Sequence, residues 1–203
     1  MKKSFGIAAV VCLCLVVSNL KGADEKKAAA GPAGQPSMEE MMAMMTKLGE
    51  PNENHKRLEA FVGTFNAKVQ CFMMPTPETW AGVSKNEMIL GGRWLKGEYS
   101  GQMMGKPFKG MQLLGYDNQT KKYISAWIDD MSSGLQMAEG QADASGKVIT
   151  VVGECVDPMT NQKKTSRTVM TIVSNDRHTV EMFGPGMDGK EMKMMSIEYS
   201  RAK

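Results

Sequence analysis

"GYDNQTKKYISAWIDD", residues 115–130, holds the end of one strand, a turn and most of the next. In its second half Tyr123, Ser125, Trp127 and Asp129 fall on one side of an extended chain, with Ile124, Ala126 and Ile128 on the other. If the aliphatic side packed on a core, Tyr, Trp and Asp would be surface. If the sheet closed around a cavity, the aromatic and acidic side would line it. That choice decides the fold.

The rest of the chain repeats the pattern. Strands are expected near 63–72, 80–90, 93–102, 107–117, 122–129, 134–141, 147–155, 164–174, 178–184 and 190–200. Turn chemistry separates them: Gly91-Gly92, Asp117-Asn118, Ser145-Gly146, Asp157-Pro158 with Asn161, Asn175-Asp176 and Asp188-Gly189. No intervening segment has the helical length that a parallel crossover needs. About ten consecutive antiparallel strands form a meander, which either splits into two sheets or closes and so removes its edges. The early strands have no purely oily side. Trp80, Gly82, Ser84, Asn86 and Met88 oppose Ala81, Val83, Lys85, Glu87 and Ile89; Arg93, Leu95, Gly97 and Tyr99 oppose Trp94, Lys96, Glu98 and Ser100. Such mixture favours a barrel with a semi-polar wall over a tight sandwich. The fold class expected is all-β: an antiparallel up-and-down barrel behind short N-terminal helices.

Ahead of the strands, "MKKSFGIAAVVCLCLVVSNLKGA" runs from two lysines through an apolar stretch, Gly6 to Val17, into small and polar residues. This is the layout of a secretory signal peptide, and the apolar run is shorter than the roughly 20 residues that span a bilayer. Residues 1–22 are assigned to the leader, 23–36 to a flexible Gly/Pro/Ala-rich linker, 37–62 to a helical cap and 63–203 to the barrel. The location expected is periplasmic or extracellular, with no stable membrane span once the leader is removed. Ser37 and Glu40 form a capping box, and Met38, Met41, Met42, Met45 and Leu48 stripe the helix that follows. A second short helix carries Leu58, Phe61 and Val62. Together the two helices are expected to plug one end of the sheet.

Charge and cysteines narrow the function classes. Lys+Arg number 25 and Asp+Glu 22; loss of Lys2, Lys3 and Lys21 with the leader would leave a neutral chain. No basic stripe offers a footprint for nucleic acid. Cys71 and Cys155 remain, both on inward-looking faces. In an oxidising compartment they could pair, or they could be two buried small hydrophobes.

Four stretches carry a family likeness: "HKRLEAFVGTF" (55–65), "GGRWLKGEYSG" (91–101), "PFKGMQLLGYDNQTKKYISAWIDDMSSG" (107–134) and "DGKEMKMMSIEYSR" (188–201). Together, over roughly residues 52–203, they resemble the bacterial family catalogued as domain of unknown function 1579. The resemblance implies a calycin-like barrel, of the broad group that contains lipocalins, fatty-acid-binding proteins and nitrobindins, and it implies an internal cavity. It supplies no activity. The chain has Phe65 where the family usually has tryptophan, so any indole hydrogen bond at that point is lost.

Candidates for the cavity wall are Trp80, Arg93, Tyr99, Tyr116, Tyr123, Trp127 and Asp129. Arg93 would be costly inside unless Asp129, Glu98 or an acidic ligand paired with it. The plainer reading of these residues is a rim ion pair with aromatics at sheet ends. Haem, suggested by the nitrobindin branch, needs an axial ligand, and only His55 and His178 exist; both read more simply as surface or capping residues. Two histidines and two separated cysteines give no local zinc cluster. Asp129 and Asp130 are adjacent on a strand, so their side chains diverge, and no nucleophile elbow or HExxH is present. The 21 methionines could ligate monovalent copper, though methionine also fills irregular cores. The function expected is binding of a small, partly apolar molecule, with Arg93 orienting an acidic group, and no cofactor. Turnover of a small metabolite in the same cavity, and a filled barrel acting through its surface, stand as alternatives. The oligomeric state is left open.

Overall fold

The computed structural model describes residues 35–157, 161–186 and 189–203. The leader assigned to 1–22 and most of the linker lie outside them. One helix, α1 (Met38–Gly49), crosses from a unit that ends at Met41 into the unit Met42–Lys203, which holds the sheet. Its capping box is formed: Glu40 N–H donates to Ser37 Oγ, and Ser37 N–H to the Glu40 carboxylate. α2 (Glu53–Lys56) and a 3-10 turn (Arg57–Phe61) follow. No helix among the described residues is long and apolar enough to cross a membrane.

Ten strands come next: β1 (Gly63–Cys71), β2 (Glu78–Ile89), β3 (Trp94–Met103), β4 (Lys106–Asp117), β5 (Lys122–Asp129), β6 (Gln136–Ala142), β7 (Val148–Val156), β8 (Lys163–Ser174), β9 (Arg177–Pro185) and β10 (Glu191–Arg201). No strand end differs by more than two residues from the sequence expectation. Each strand pairs antiparallel with its chain neighbours, and β10 pairs with β1, so the sheet is a closed barrel. Closure leaves no free ladder edge. The β2–β3 turn uses Leu90, Gly91 and Gly92 at φ 51, 65 and 82, a left-handed run in which glycine carries least strain.

The question set by residues 115–130 is answered at β5. Tyr123 and Ser125 are buried and Ile128 is exposed, so the Tyr/Ser/Trp side faces inward. The cross-strand register carries that facing around the wall: Tyr116 opposes Tyr123, Leu114 opposes Ser125, and Gln112 opposes Trp127. One step further, Leu95 opposes Leu114 and Tyr99 opposes Gly110.

The interior has two parts. At the base, the end where β1 begins, Leu58 and Phe61 plug the barrel against Leu95, Leu114, Tyr123, Ile149, Val151 and Met170. Burying a Leu or Phe side chain stabilises by roughly 1.5–3 kcal/mol, so these two alone hold the 3-10 turn in place. Polar bonds pin it further. Asn86 Nδ2 donates to Phe61 O at 2.8 Å, Tyr123 OH to Asn54 O at 3.2 Å, and Arg201 Nη1 to Val62 O at 2.8 Å. One expectation is corrected here. Met42, Met45 and Leu48 of the α1 stripe are exposed, and the residues that fill the base are Leu58 and Phe61.

Candidate functional site

Toward the mouth, the end where β1 finishes, the packing opens into a cavity of about 300 Å³. Trp80, Tyr99, Phe108, Trp127 and Tyr199 supply aromatic wall, and Val69, Met103, Met182, Met195 and Ile197 the aliphatic and thioether wall. The register explains why these meet. Val69 opposes both Trp80 and Ile197, and Met195 opposes Met182, so alternate residues of these four strands share one inner surface.

Glycines let the rings lie flat against the wall. A Cβ on Gly82 would stand 2.2 Å from the Tyr99 hydroxyl, and one on Gly110 would stand 2.2 Å from Trp127 Cζ2. Any side chain at either position would displace the ring into the cavity. The Trp127 indole is anchored as well: Nε1 donates to Asp129 Oδ2 at 2.8 Å.

The polar content of the wall is sparse and mostly uncharged. Gln112 Nε2 donates to Ser125 Oγ at 3.2 Å, and Ser166 Oγ to Gly153 O at 3.4 Å. Burial pushes the phenols of Tyr99 and Tyr199 up, and the neighbouring Tyr99 raises Tyr199 further. Both stay neutral donors at any physiological pH, and neither has a hydrogen-bond partner among the described residues. Glu154, the one charged residue of the lining, is exposed and pairs with Lys163 at 2.8 Å.

The seven predicted wall residues divide. Trp80, Tyr99 and Trp127 line the cavity, and Asp129 stands behind Trp127 as its acceptor. Tyr116 and Tyr123 belong to the base, their rings 5.0 Å apart, with Tyr116 edge-on to His55. Arg93 is elsewhere. It is exposed in the β2–β3 turn and donates to Leu90 O at 3.1 Å, so it cannot orient an acidic group inside. Parity placed it inward, but the strand begins only at Trp94, and a residue in a turn escapes the strand's alternation. Phe108, Gln112 and Tyr199 were missed, although alternation on β4 and β10 puts them on the sides that hold Leu114 and Ile197.

Of the two readings open for the cysteines the unbridged one holds, and of the two histidines one caps a helix. Cys71 and Cys155 are free thiols: β1 and β7 lie apart, with β8, β9 and β10 between them on the shorter way round. Neither histidine is a surface residue. His55 Nδ1 accepts from Asn52 N–H at 3.0 Å, closing a capping box. His178 is 4% exposed, because it shares the inward side of β9 with Val180 and Met182. It stacks on Tyr199 at 4.4 Å and meets Phe61 and Phe65 edge-on at 4.9 and 4.6 Å. Phe65 closes the base, with Arg201 over its other face at 4.5 Å. Burial, and then the Arg201 charge, lower the His178 pKa to about 4. Its Nδ1 is buried without a partner. Haem does not fit these histidines, since the rings around His178 fill the space a haem would need beside it and neither histidine lines the cavity.

Asp129 and Asp130 are spent on structure. Asp129 also accepts from Met131 N–H, and Asp130 accepts from Lys109 N–H with both oxygens at 3.1 Å. No group of three or more His, Cys, Asp or Glu able to hold a metal occurs among the described residues.

Residues 50–201 match the family described as a protein of unknown function, DUF1579. None of the curated proteins matches the sequence. Among solved structures, Rv2717c from M. tuberculosis aligns with a TM-score of 0.54 at 12% identity, covering 76% of this chain and 100% of that one. A redesigned beta barrel aligns with a TM-score of 0.38 at 12% identity, covering 74% and 96%. At this identity the likeness to Rv2717c speaks to the fold alone.

Proposed function

We propose a ligand-binding role for this chain, which belongs to the DUF1579 family of proteins of unknown function: an exported barrel that takes up a small, uncharged, largely apolar molecule. The observation that carries this reading is the cavity itself, open toward the mouth and lined by five aromatic rings, two of them seated on glycines. Its volume lies at the small end of the range of ligand pockets, roughly 300–1,000 Å³. The unpartnered Tyr99 and Tyr199 hydroxyls favour a ligand with one or two acceptor oxygens, such as a ketone, ether or ester. A carboxylate is disfavoured, because no cation lines the wall and a buried charge without a partner is costly. Export is the reading of the leader, with its lysines, apolar run and small-residue end.

The test is native mass spectrometry of protein purified from its own host, followed by titration of the ligand recovered. Trp127→Ala and Trp80→Ala should each weaken binding about tenfold through lost stacking and area. A host-purified protein of bare mass that also refuses neutral apolar probes would refute the proposal. A leader retained in the mature protein would refute export separately.

A further inference from the structure

Methionine is distributed unevenly over the barrel. Among the described residues the exposed methionines outside α1 are Met73, Met74, Met104, Met131, Met137 and Met192. All six stand at the mouth: Met73 and Met74 between β1 and β2, Met104 between β3 and β4, Met131 between β5 and β6, and Met137 and Met192 in the first turns of β6 and β10. Five separate places in the sequence thus converge on one rim. The base turns of the barrel carry none, and Met170 inside is 2% exposed; the exposed methionines of α1 do not line the cavity. Rim and cavity are continuous, because half-buried Met103, next to exposed Met104 of the rim, lines the cavity wall.

We propose that this collar is an oxidation site that controls occupancy of the cavity. The proposal rests on the cavity being an apolar ligand site. Thioether oxidation follows sulfur exposure, so a peroxide reaching the protein meets the collar before any base methionine. Sulfur attacks one oxygen of hydrogen peroxide, the O–O bond breaks, and the other oxygen leaves as water. The thioether loses two electrons to become a sulfoxide, and the peroxide is reduced. At Met103, on the inward side of β3 with Leu95 and Tyr99, the product places a strongly polar S=O on an otherwise apolar wall, where it holds water that an apolar ligand must displace. Methionine sulfoxide reductases reverse the step. An exported protein, outside the reducing cytosol, would meet such oxidants directly.

The experiment titrates the neutral fluorophore N-phenyl-1-naphthylamine before and after graded hydrogen peroxide, with sulfoxides mapped by peptide mass spectrometry. All titrations are made in dithiothreitol. It returns a sulfenic acid or disulfide at Cys155, a half-buried thiol at the same end, to the thiol and leaves sulfoxides intact. The expected result is sulfoxide at Met103 while Met170 stays reduced, an affinity loss of about tenfold, and recovery after treatment with reductases A and B, dithiothreitol supplying the electrons. A Met103→Leu protein, compared with its own untreated value, should lose less than about threefold. Full sulfoxide formation at Met103 without loss of affinity would overturn the proposal, as would an equal loss in the Met103→Leu variant or a loss the reductases cannot reverse. A protein that binds the probe but ignores peroxide removes this inference alone; one that never binds removes the ligand reading with it.

Discussion

Replacing His178 with Phe should flatten the acid side of this protein's stability curve. In the folded barrel the imidazole lies among Phe61, Phe65 and Tyr199, with the Arg201 guanidinium nearby, and its pKa falls from 6.5 to about 4. The sign follows from proton uptake. Above pH 6.5 neither state binds the proton, so stability carries no contribution from this residue. Between 6.5 and 4 the unfolded chain takes up the proton and the folded chain does not, so stability falls as pH falls. Below 4 both states are protonated and the loss levels off. At about 1.36 kcal/mol per pKa unit, the full difference is roughly 3 kcal/mol, of which about 2 kcal/mol is lost by pH 5. Urea unfolding followed by tryptophan fluorescence at pH 7.5, 6 and 5, at fixed ionic strength, measures it. His55, whose pKa is also lowered by burial, contributes a parallel loss to wild type and variant and cancels in the comparison. His178→Phe should therefore lose about 2 kcal/mol less than wild type between pH 7.5 and 5. At pH 7.5 it should be at least as stable, since Phe removes a buried nitrogen without a partner. Equal losses in the two proteins would show that His178 is not held neutral by burial and would refute the reasoning.

Three further outcomes follow from the geometry. Gly110→Ala should abolish probe binding by driving Trp127 off the wall, and should destabilise by about 1–3 kcal/mol, read from the urea midpoint. Arg93→Ala should leave ligand affinity within about twofold of wild type, because the side chain lies in an exposed turn; an isothermal titration showing a large loss would contradict its placement. Arg201→Ala should cost roughly 2–4 kcal/mol in the same urea assay, since Arg201 bonds Val62 O and Asn175 O, pairs with Asp176 and covers Phe65.

Legibility differed between strand and site. Strand positions were plain because two-residue alternation and turn residues such as Gly91-Gly92 are local signals, each readable within a few residues. Alternation also set aside the right side of β5, Tyr123 to Asp129, as the candidate lining. It could not say how deep each residue would sit. Tyr123 and Trp127 share a side and differ by four residues, yet one packs on the base plug and the other lines the cavity. Depth depends on Leu58 and Phe61, which enter from an element more than sixty residues earlier. Arg93 failed for a local reason, since it sits one residue before its strand begins.

The amino-acid order by itself determined the number of strands, their antiparallel sense and which side of each would be wetter or drier, because those properties depend only on near neighbours along the chain. Closure of β10 onto β1, the division of the interior into a plugged base and an open cavity, the burial of His178 and the gathering of methionines at one rim were decided by the tertiary structure. Each depends on residues far apart in sequence meeting across the barrel, and register and depth exist only once the ladder has closed.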